Sequence, residues 1–556
     1  MTLAPLSHAT QRKLPRDGQR ALSAVAILVA VICALPMVAV AIAALSGGTQ
    51  TVQHLLETVL PRYAGTTAAL AVMVGCGTFA VGVGAAWLVT MTRFPGVRML
   101  EVALVLPLAF PAYVLAYAYT HILDHPGIVQ TTLRDVTGWG PRDYWFPEIR
   151  SLGGAVVMLV LVLYPYVYLL ARAAFLQQSG TTFLAARALG SSAWSAFFKV
   201  SLPLARPAIA GGVLLTVMET IADFGTVAYF GVQTFATGIY TSWFSLFDRA
   251  GAAQLALCLL SFALLLAMLE RLQRGRAKYH DPSRQAQAMA PAELKGWHAA
   301  AAMVLCGVPV VFGAVLPIFV LFWMGLDSEQ NLFGARYLGF IRNSVKLASV
   351  AAIVTVFAAV SVGFFQRMRG GRLSQSAAYV ARLGYAVPGG VIAVGLLVPF
   401  AVFDNALDAW MRETFGVSTG LLITGSIWLL VIAYMVRFLA AALGAYEGGQ
   451  AMVHANMDAA SRSLGQTPLG TLRRVHLPIL APSLLTALLI VFVDVMKELP
   501  ATLIMRPFNF DTLAVQAYRL ASDERLEGAA VPSLIIVAMG LLPVVLICRQ
   551  IGRRGG

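Results

Sequence analysis

The sequence predicts an all-α integral membrane protein of twelve transmembrane helices, arranged as two parallel-repeat six-helix units. Three observations predict this fold class: an apolar composition, twelve long apolar runs, and a repeat of the first half in the second. Of the 556 residues, 59% are apolar and 12% are charged, whereas about a quarter of the residues of a soluble domain are charged. The composition therefore excludes an ordinary soluble protein.

Twelve runs are long enough to cross a membrane, because about 20 helical residues span the ~30 Å hydrocarbon core. The first run follows a basic stretch, as the apolar part of a signal peptide does, but it exceeds the ~7–15 apolar residues of such a peptide. We therefore predict a retained first helix. The twelve predicted spans are 21–45, 65–92, 99–123, 153–174, 205–230, 251–270, 297–326, 343–366, 377–403, 419–445, 482–507 and 531–549.

The formal net charge of +14 reflects topology. Most of the 40 Lys and Arg residues fall at the N-terminus, in the even-numbered connections between spans, and at the C-terminus. This distribution is the positive-inside bias of membrane proteins, and it predicts that both termini are cytoplasmic. No nucleic-acid partner is needed to explain the basic total.

The two halves repeat one another. The stretch "LAARALGSSAWSAFFKVSLPLARPAI" begins at residue 184, and "AASRSLGQTPLGTLRRVHLPILAPSL" begins at residue 459, which is 275 positions later (459 − 184). Each half carries an even number of spans, so both halves have one orientation, as in transporters built from parallel repeats. We predict a cytoplasmic N-terminus (1–20), a first six-helix unit (21–270), a polar cytoplasmic linker (271–296) and a second six-helix unit (297–556).

Two pairs of carboxylates lie within otherwise apolar spans. The same offset places Glu219 on Asp494 and Asp223 on Glu498. Members of each pair are four residues apart, so a continuous helix would carry both on one face, in the outer half of the span. Ionisable groups at membrane depth are costly and usually functional, and hard cations prefer oxygen ligands.

The spacing predicts four acids around a path for a cation. An alternative stays open, in which the acids form local ion pairs with Lys497 or Arg506, or act in gating.

The repeated connection between the fourth and fifth spans of each half resembles the coupling loop of binding-protein-dependent ABC importer permeases. The resemblance rests on an Ala-Ala-x-x-x-Gly pattern followed by Leu-Pro. The usual glutamate is absent, since Leu184 and Ala459 stand at its position and Asp458 lies one residue early. The matching residues are Ala185, Ala186, Gly190, Leu202, Pro203, Ala460, Ser461, Gly465, Leu477 and Pro478.

Segments 221–240 and 497–514 are similar to the ferric-iron branch of these permeases. The resemblance implies a fused double permease of type I importer-like fold in a bacterial inner membrane, in contact with lipid. It implies that the chain is not an enzyme and binds no cofactor. ATP would be bound by a cytoplasmic ABC ATPase, two copies of which would grip the coupling loops, and a periplasmic binding protein would deliver ferric iron.

Other functions remain as alternatives. Within the same class, the cargo could be thiamine or a polyamine-type cation. A gradient-driven secondary transporter also commonly has twelve spans in two parallel halves, and an integral-membrane enzyme could use the carboxylates as acid and base. The chain contains no GxxxxGK[ST] motif, so it has no P-loop for ATP.

Overall fold

The computed structural model describes residues 16–178, 188–190, 192–276, 291–328, 330, 334–369 and 371–554. The predicted all-α class is confirmed. The regular structure of these residues is helical, apart from a short parallel pairing of strand β1 (Thr92–Arg93) with strand β2 (Ala292–Glu293).

Twelve α-helices are described in the first half of the chain. A 3-10 turn at Leu106–Ala109 follows α4, and a π-helical turn at Phe197–Ser201 precedes α9. The helices are α1 (Arg16–Ser46), α2 (Thr49–Thr58), α3 (Leu60–Met91), α4 (Val97–Ala103), α5 (Ala112–Leu123), α6 (Ile128–Thr137), α7 (Leu152–Gln177), α8 (Ala193–Ala196), α9 (Leu202–Ala222), α10 (Gly225–Tyr229), α11 (Phe235–Phe244) and α12 (Arg249–Arg276).

The second half has a matching set of described helices. A 3-10 turn at Gly384–Ala386 precedes α17, and π-helical turns occur at Val311–Val315 and Leu472–His476. The helices are α13 (Trp297–Val310), α14 (Leu316–Leu326), α15 (Ala335–Arg369), α16 (Arg372–Leu383), α17 (Gly389–Phe415), α18 (Trp428–Gln450), α19 (Ala455–Ser463), α20 (Pro468–Thr471), α21 (Leu477–Met496), α22 (Pro500–Met505), α23 (Leu513–Ser522) and α24 (Leu526–Arg554).

Eleven helical stretches among the described residues are long and apolar enough to cross a membrane, and a bent pair makes a twelfth. The bent pair, Val97–Ala109 with Ala112–Thr137, turns by 95°. The predicted span at 99–123 is therefore wrong as a single helix. Pro111, extended at the start of α5, has no N–H to continue a helix and restricts the residue before it. In the second half, Pro388 begins α17 in the same way and divides the predicted span at 377–403.

The fifth predicted span of each half is also broken. Helix α9 ends at Ala222 and α10 begins at Gly225, whereas α21 ends at Met496 and α22 begins at Pro500. The expectation of continuous helices over 205–230 and 482–507 is therefore wrong. The breaks occupy equivalent positions, because α9 and α21 begin 275 residues apart (477 − 202).

The halves are joined through the first helix. Helix α1 packs against α15, α16 and α17 of the second half. At the crossing with α17, a Cβ added to Gly395 would lie 2.3 Å from the backbone oxygen of Pro36. Close approach of the two backbones therefore depends on the absence of a side chain at this position.

We predict that Gly395→Ala destabilises the protein by about 1–3 kcal/mol, the usual cost of overpacking. Gly390→Ala in the same helix is the matched control, because a Cβ at Gly390 meets no atom within 4 Å. Thermal melting of the purified chain in nanodiscs measures both variants. Equal melting temperatures for the two variants would contradict this account of the α1–α17 contact.

Candidate functional site

The four helix breaks converge on one cavity. It encloses about 820 Å³ of space, part of it open to solvent. Residues from both halves contribute to its wall, and all four carboxylates predicted from the sequence lie there. The charged and phenolic lining residues are Tyr113, Tyr166, Glu219, Asp223, Tyr385, Arg437, Asp494, Lys497 and Glu498.

Asp223 caps the helix that follows the break in the first half. Its carboxylate accepts hydrogen bonds from the backbone N–H of Thr226 at 3.1 Å and of Val227 at 3.2 Å, and from the Thr226 hydroxyl at 3.1 Å. Side-chain oxygens at this position satisfy N–H groups that a helix start leaves without partners. Asp223 therefore stabilises the beginning of α10.

Glu498 has the same role in the second half. It accepts hydrogen bonds from the backbone N–H of Ala501 at 3.1 Å and of Thr502 at 3.2 Å, and from the Thr502 hydroxyl at 3.0 Å. Arg437 on α18 adds a charged contact of 3.3 Å. Gly389 makes room for this pair, since a Cβ there would lie 2.3 Å from the guanidinium and 2.7 Å from the carboxylate.

The other two acids have different partners. Asp494, in the last turn of α21, forms an ion pair of 2.9 Å with Lys497. Glu219, in the last turn of α9, accepts a hydrogen bond of 2.9 Å from the hydroxyl of Tyr385 in the other half. Within the described part of the chain, no Lys, Arg or His lies within 4.0 Å of the Glu219 carboxylate. Glu219 and Asp223, the two acids of the first half, thus have no described cation within ion-pair distance, whereas Asp494 and Glu498 have one each.

The geometry bears on the sequence-based expectations in three ways. The acids do share a cavity, but the helix ends between the members of each pair, so they do not lie on one continuous helical face. Among the described residues, no group of three or more His, Cys, Asp or Glu side chains is placed to hold a metal ion. Lys497 pairs with Asp494, and Arg506 pairs with Asp511. A role for all four acids in a substrate path stays a prediction.

Sequence reasoning missed Arg437 and Tyr385. Arg437 lies within the predicted span 419–445, and an arginine in such a run is itself a sign of function. Tyr385 carried no comparable signal, because its contact with Glu219 joins residues 166 positions apart.

The residues predicted to form coupling loops have one geometry at the positions that the structure describes in both halves. Gly190 and Gly465 have φ of +87° and +77°, a left-handed conformation that glycine adopts at the end of a helix. Leu202 and Leu477 begin α9 and α21 directly after a π-helical turn, with Pro203 and Pro478 in the first turn. Ala460 and Ser461 lie in α19, where the Ser461 hydroxyl bonds to Thr471 at 2.8 Å. Ala185 and Ala186 lie outside the described residues.

Asp458 faces inward in the second predicted loop. It contacts Nε2 of the fully buried His476 at 2.6 Å and accepts a hydrogen bond of 2.8 Å from Arg367 on α15. Burial by itself would raise the pKa of Asp458, but the contacts with His476 and Arg367 hold that pKa below its ordinary value. Asp458 thus fastens α19 to two membrane helices.

An ion-pair cluster joins the halves at the ends of the helices away from the coupling loops. Arg150 donates to Asp124 at 2.9 Å and to both carboxylate oxygens of Glu524 at 2.6 and 2.7 Å. The hydrogen bond from Arg150 holds the pKa of Glu524 below its ordinary value. Arg150 belongs to the first half and Glu524 to the second, so this cluster ties the two halves together at this end.

We predict that Asp223→Ala lowers the stability of the chain by about 1–2 kcal/mol, the cost of losing a helix cap. Asp223→Asn keeps an acceptor oxygen and is expected to retain most of the stability. Melting of both variants in nanodiscs measures the difference. If Asp223→Ala melts with the wild type, the carboxylate does not act as a cap.

We predict that Asp458→Asn destabilises the chain by about 3 kcal/mol, because it leaves partners of a buried ion pair behind. Since the folded-state pKa of Asp458 is lowered, its stabilising effect is fully present above the ordinary Asp pKa of about 3.9. The effect is lost as the pH falls through the lower folded-state value.

Melting curves between neutral and acidic pH measure both effects. Arg473→Gln, on the exposed side of the same loop, is the control. Equal melting of Asp458→Asn and Arg473→Gln at neutral pH would contradict the inward role of Asp458.

The chain is similar to permease proteins of three known transport systems. It is 25% identical to the Fe(3+)-transport system permease protein of Haemophilus influenzae over 550 residues, covering 96% of this chain and 99% of that one. It is 24% identical over 456 residues to the ferric transport system permease protein of Actinobacillus pleuropneumoniae, covering 78% of this chain and 63% of that one. It is 30% identical over 211 residues to the molybdenum transport system permease protein of Escherichia coli, covering 35% of this chain and 87% of that one.

Residues 352–554 match the family model for binding-protein-dependent transport system inner membrane components. This match and the relatives confirm the resemblance predicted from the coupling loops. They indicate a multi-pass permease of the inner membrane, and not the secondary transporter or the membrane enzyme that were the alternatives. The chain belongs to the family of binding-protein-dependent transport system inner membrane components.

Proposed function

We propose that this permease subunit of an ATP-driven importer carries ferric iron from a periplasmic binding protein to the cytoplasm. The observation that carries the proposal is the charge of the cavity. Four carboxylates and two cations line it, which is a formal charge of −2 (−4 + 2). An acidic lining with oxygen donors favours a hard cation. The two ferric permeases similar to this chain support the same cargo.

The partners follow from the family and from the loops. A cytoplasmic ABC ATPase, in two copies, docks one copy on each coupling loop, and a periplasmic binding protein delivers the cargo at the opposite face. ATP binds to the ATPase, and this chain binds no cofactor. Both termini lie in the cytoplasm, on the side of the coupling loops. Each six-helix unit supplies one half of the pathway. The first unit is 21–270 and the second is 297–556; the segment 1–20 precedes the first unit, and the linker 271–296 joins the two.

ATP-driven movement of the loops shifts the halves between outward and inward access, a rigid-body transition of the hinge or rocking kind. The Arg150–Glu524 ion pair forms when the two halves approach each other at the outer end of the pathway, and it closes the pathway at that end. Asp458 connects the second loop to α15 and α21, so that movement of the loop moves the helices beside the cavity.

A second candidate cargo is an oxyanion. The relative from the molybdenum system and the presence of Arg437 and Lys497 in the cavity favour it. Both cations are already paired with carboxylates, however, and the remaining charge of the cavity repels an anion. Thiamine and polyamine-type cations suit the charge of the cavity as well as iron does. The uptake experiment described next distinguishes them from iron.

The test is uptake into proteoliposomes that contain this chain, its cognate ATPase and its binding protein. Radiolabelled ferric iron, thiamine, putrescine and molybdate are compared with and without ATP inside the vesicles. ATP-dependent uptake of iron alone supports the proposal. Uptake of another cargo in place of iron overturns the iron assignment, and uptake of iron without ATP overturns the coupling to an ATPase.

We also predict that Leu464→Ala weakens docking of the ATPase. Leu189 and Leu464 occupy equivalent positions beside the loop glycines and are 87% and 79% exposed, as expected of apolar side chains that a partner covers. The substitution should lower affinity for the ATPase about tenfold and leave the melting temperature unchanged. Co-purification and ATPase stimulation measure the effect, with Ser463→Ala as the control. Normal docking of Leu464→Ala would show that the ATPase is held elsewhere.

A further inference from the structure

The two halves contribute unequal charge to the cavity, although their backbones repeat. Subtracting the offset of 275 places Lys497 on Ala222 and Arg437 on Val162, and both of these apolar residues also line the cavity. The two cations in the lining therefore both come from the second half. The first half supplies two carboxylates with no cation of its own in this wall.

Each of the two cations forms its ion pair with an acid of its own half. Lys497 lies 2.9 Å from Asp494, and Arg437 lies 3.3 Å from Glu498. An incoming cation would have to displace a tethered ammonium or guanidinium group before it could bind either carboxylate. Both second-half acids are thus neutralised in place, and their contribution to cation binding is reduced accordingly.

The two first-half acids differ from each other. Asp223 accepts three hydrogen bonds at the start of α10, including two from backbone N–H groups, so moving it would uncap that helix. Glu219 makes one described contact, with the Tyr385 hydroxyl at 2.9 Å. A phenol that donates to a carboxylate leaves the second carboxylate oxygen available, and its own oxygen can face a cation. Of the four acids, Glu219 is the one that can bind a cation without breaking an ion pair or a cap.

We propose that Arg437 and Lys497 determine the selectivity of the cavity, because they neutralise the second-half acids and leave Glu219 with Tyr385 as the contact for one hard cation. This inference rests on the proposed import of a cation. It assigns unequal duties to the two halves: the first half contacts the cation through Glu219, and the acids of the second half are held in ion pairs. In the alternative arrangement, both halves contact the cargo equally, and Asp494 binds it as strongly as Glu219 does.

Terbium(III) is a suitable probe, because it is a hard trivalent cation whose luminescence is sensitised by nearby tyrosines. The full chain is titrated with Tb³⁺ in nanodiscs, with excess Mg²⁺ to occupy weak surface sites. Glu219→Gln should weaken binding about tenfold or more, which corresponds to 1.4 kcal/mol or more. Tyr385→Phe should reduce the sensitised emission and weaken binding less. Lys497→Gln should tighten binding, since it frees Asp494.

The decisive variant is the double substitution Asp494→Asn with Lys497→Gln. It removes one negative and one positive charge together, so the formal charge of the cavity is unchanged. Binding within about twofold of the wild type, beside a large loss for Glu219→Gln, supports unequal duties. A loss in the double variant as large as that in Glu219→Gln overturns the proposal, as does wild-type binding by Glu219→Gln.

The outcome is independent of the cargo test. If the proteoliposomes take up no iron, the proposed function fails whatever the terbium titration shows. If uptake of iron depends on ATP but the double variant and Glu219→Gln bind Tb³⁺ equally weakly, only the inference of unequal duties fails. Melting curves of all variants confirm that each binding change occurs in a folded chain.

Discussion

Two carboxylates, Asp223 and Glu498, satisfy the backbone where two membrane helices break, and the cavity depends on this interaction. Within a bilayer, N–H groups without partners cost several kcal/mol each, so irregular backbone persists only where the protein supplies the partners. Each acid accepts hydrogen bonds from two N–H groups and a threonine hydroxyl. With these caps in place, the helix can end within the predicted span and leave space between the halves.

Capping by carboxylates introduces negative charge between largely apolar helices. In the second half, Arg437 and Lys497 compensate this charge by forming ion pairs with Glu498 and Asp494. Gly389 leaves room for the guanidinium group of Arg437 beside Glu498. The first half has Val162 and Ala222 at these positions and relies on hydrogen bonds, including the one that Tyr385 donates across the interface. The two halves thus share a backbone fold but differ in charge. Ion pairing of the acids requires a Lys and an Arg side chain, and the repeat conserves the backbone without conserving these two residues.

The sequence predicted those features that local pattern and repetition determine. The twelve apolar runs, the repetition of Gly190 as Gly465, and the presence of the four acids within apolar runs could all be read from it. The helix breaks could not, because an apolar run looks the same whether or not its dihedral angles stay helical. Pro111 and Pro388 were visible as residues, but prolines occur inside intact helices as well, such as Pro165 in α7. The contacts of Tyr385 and Arg437 required the tertiary structure.

Helices α9 and α21 each connect one of the repeated loops to the cavity. Helix α21 runs for 20 residues from Leu477 to Met496, which is about 30 Å at 1.5 Å per residue, and carries Asp494 in its last turn. At its start, His476 is held by Asp458, whereas the equivalent position before α9 is Ser201, whose buried hydroxyl has no partner among the described residues. In the proposed mechanism, a displacement of the second loop therefore reaches the cavity through a helix that Asp458 fastens at its start. The half that pairs its acids with cations therefore also has a charged side chain, Asp458, that holds the start of the helix carrying Asp494.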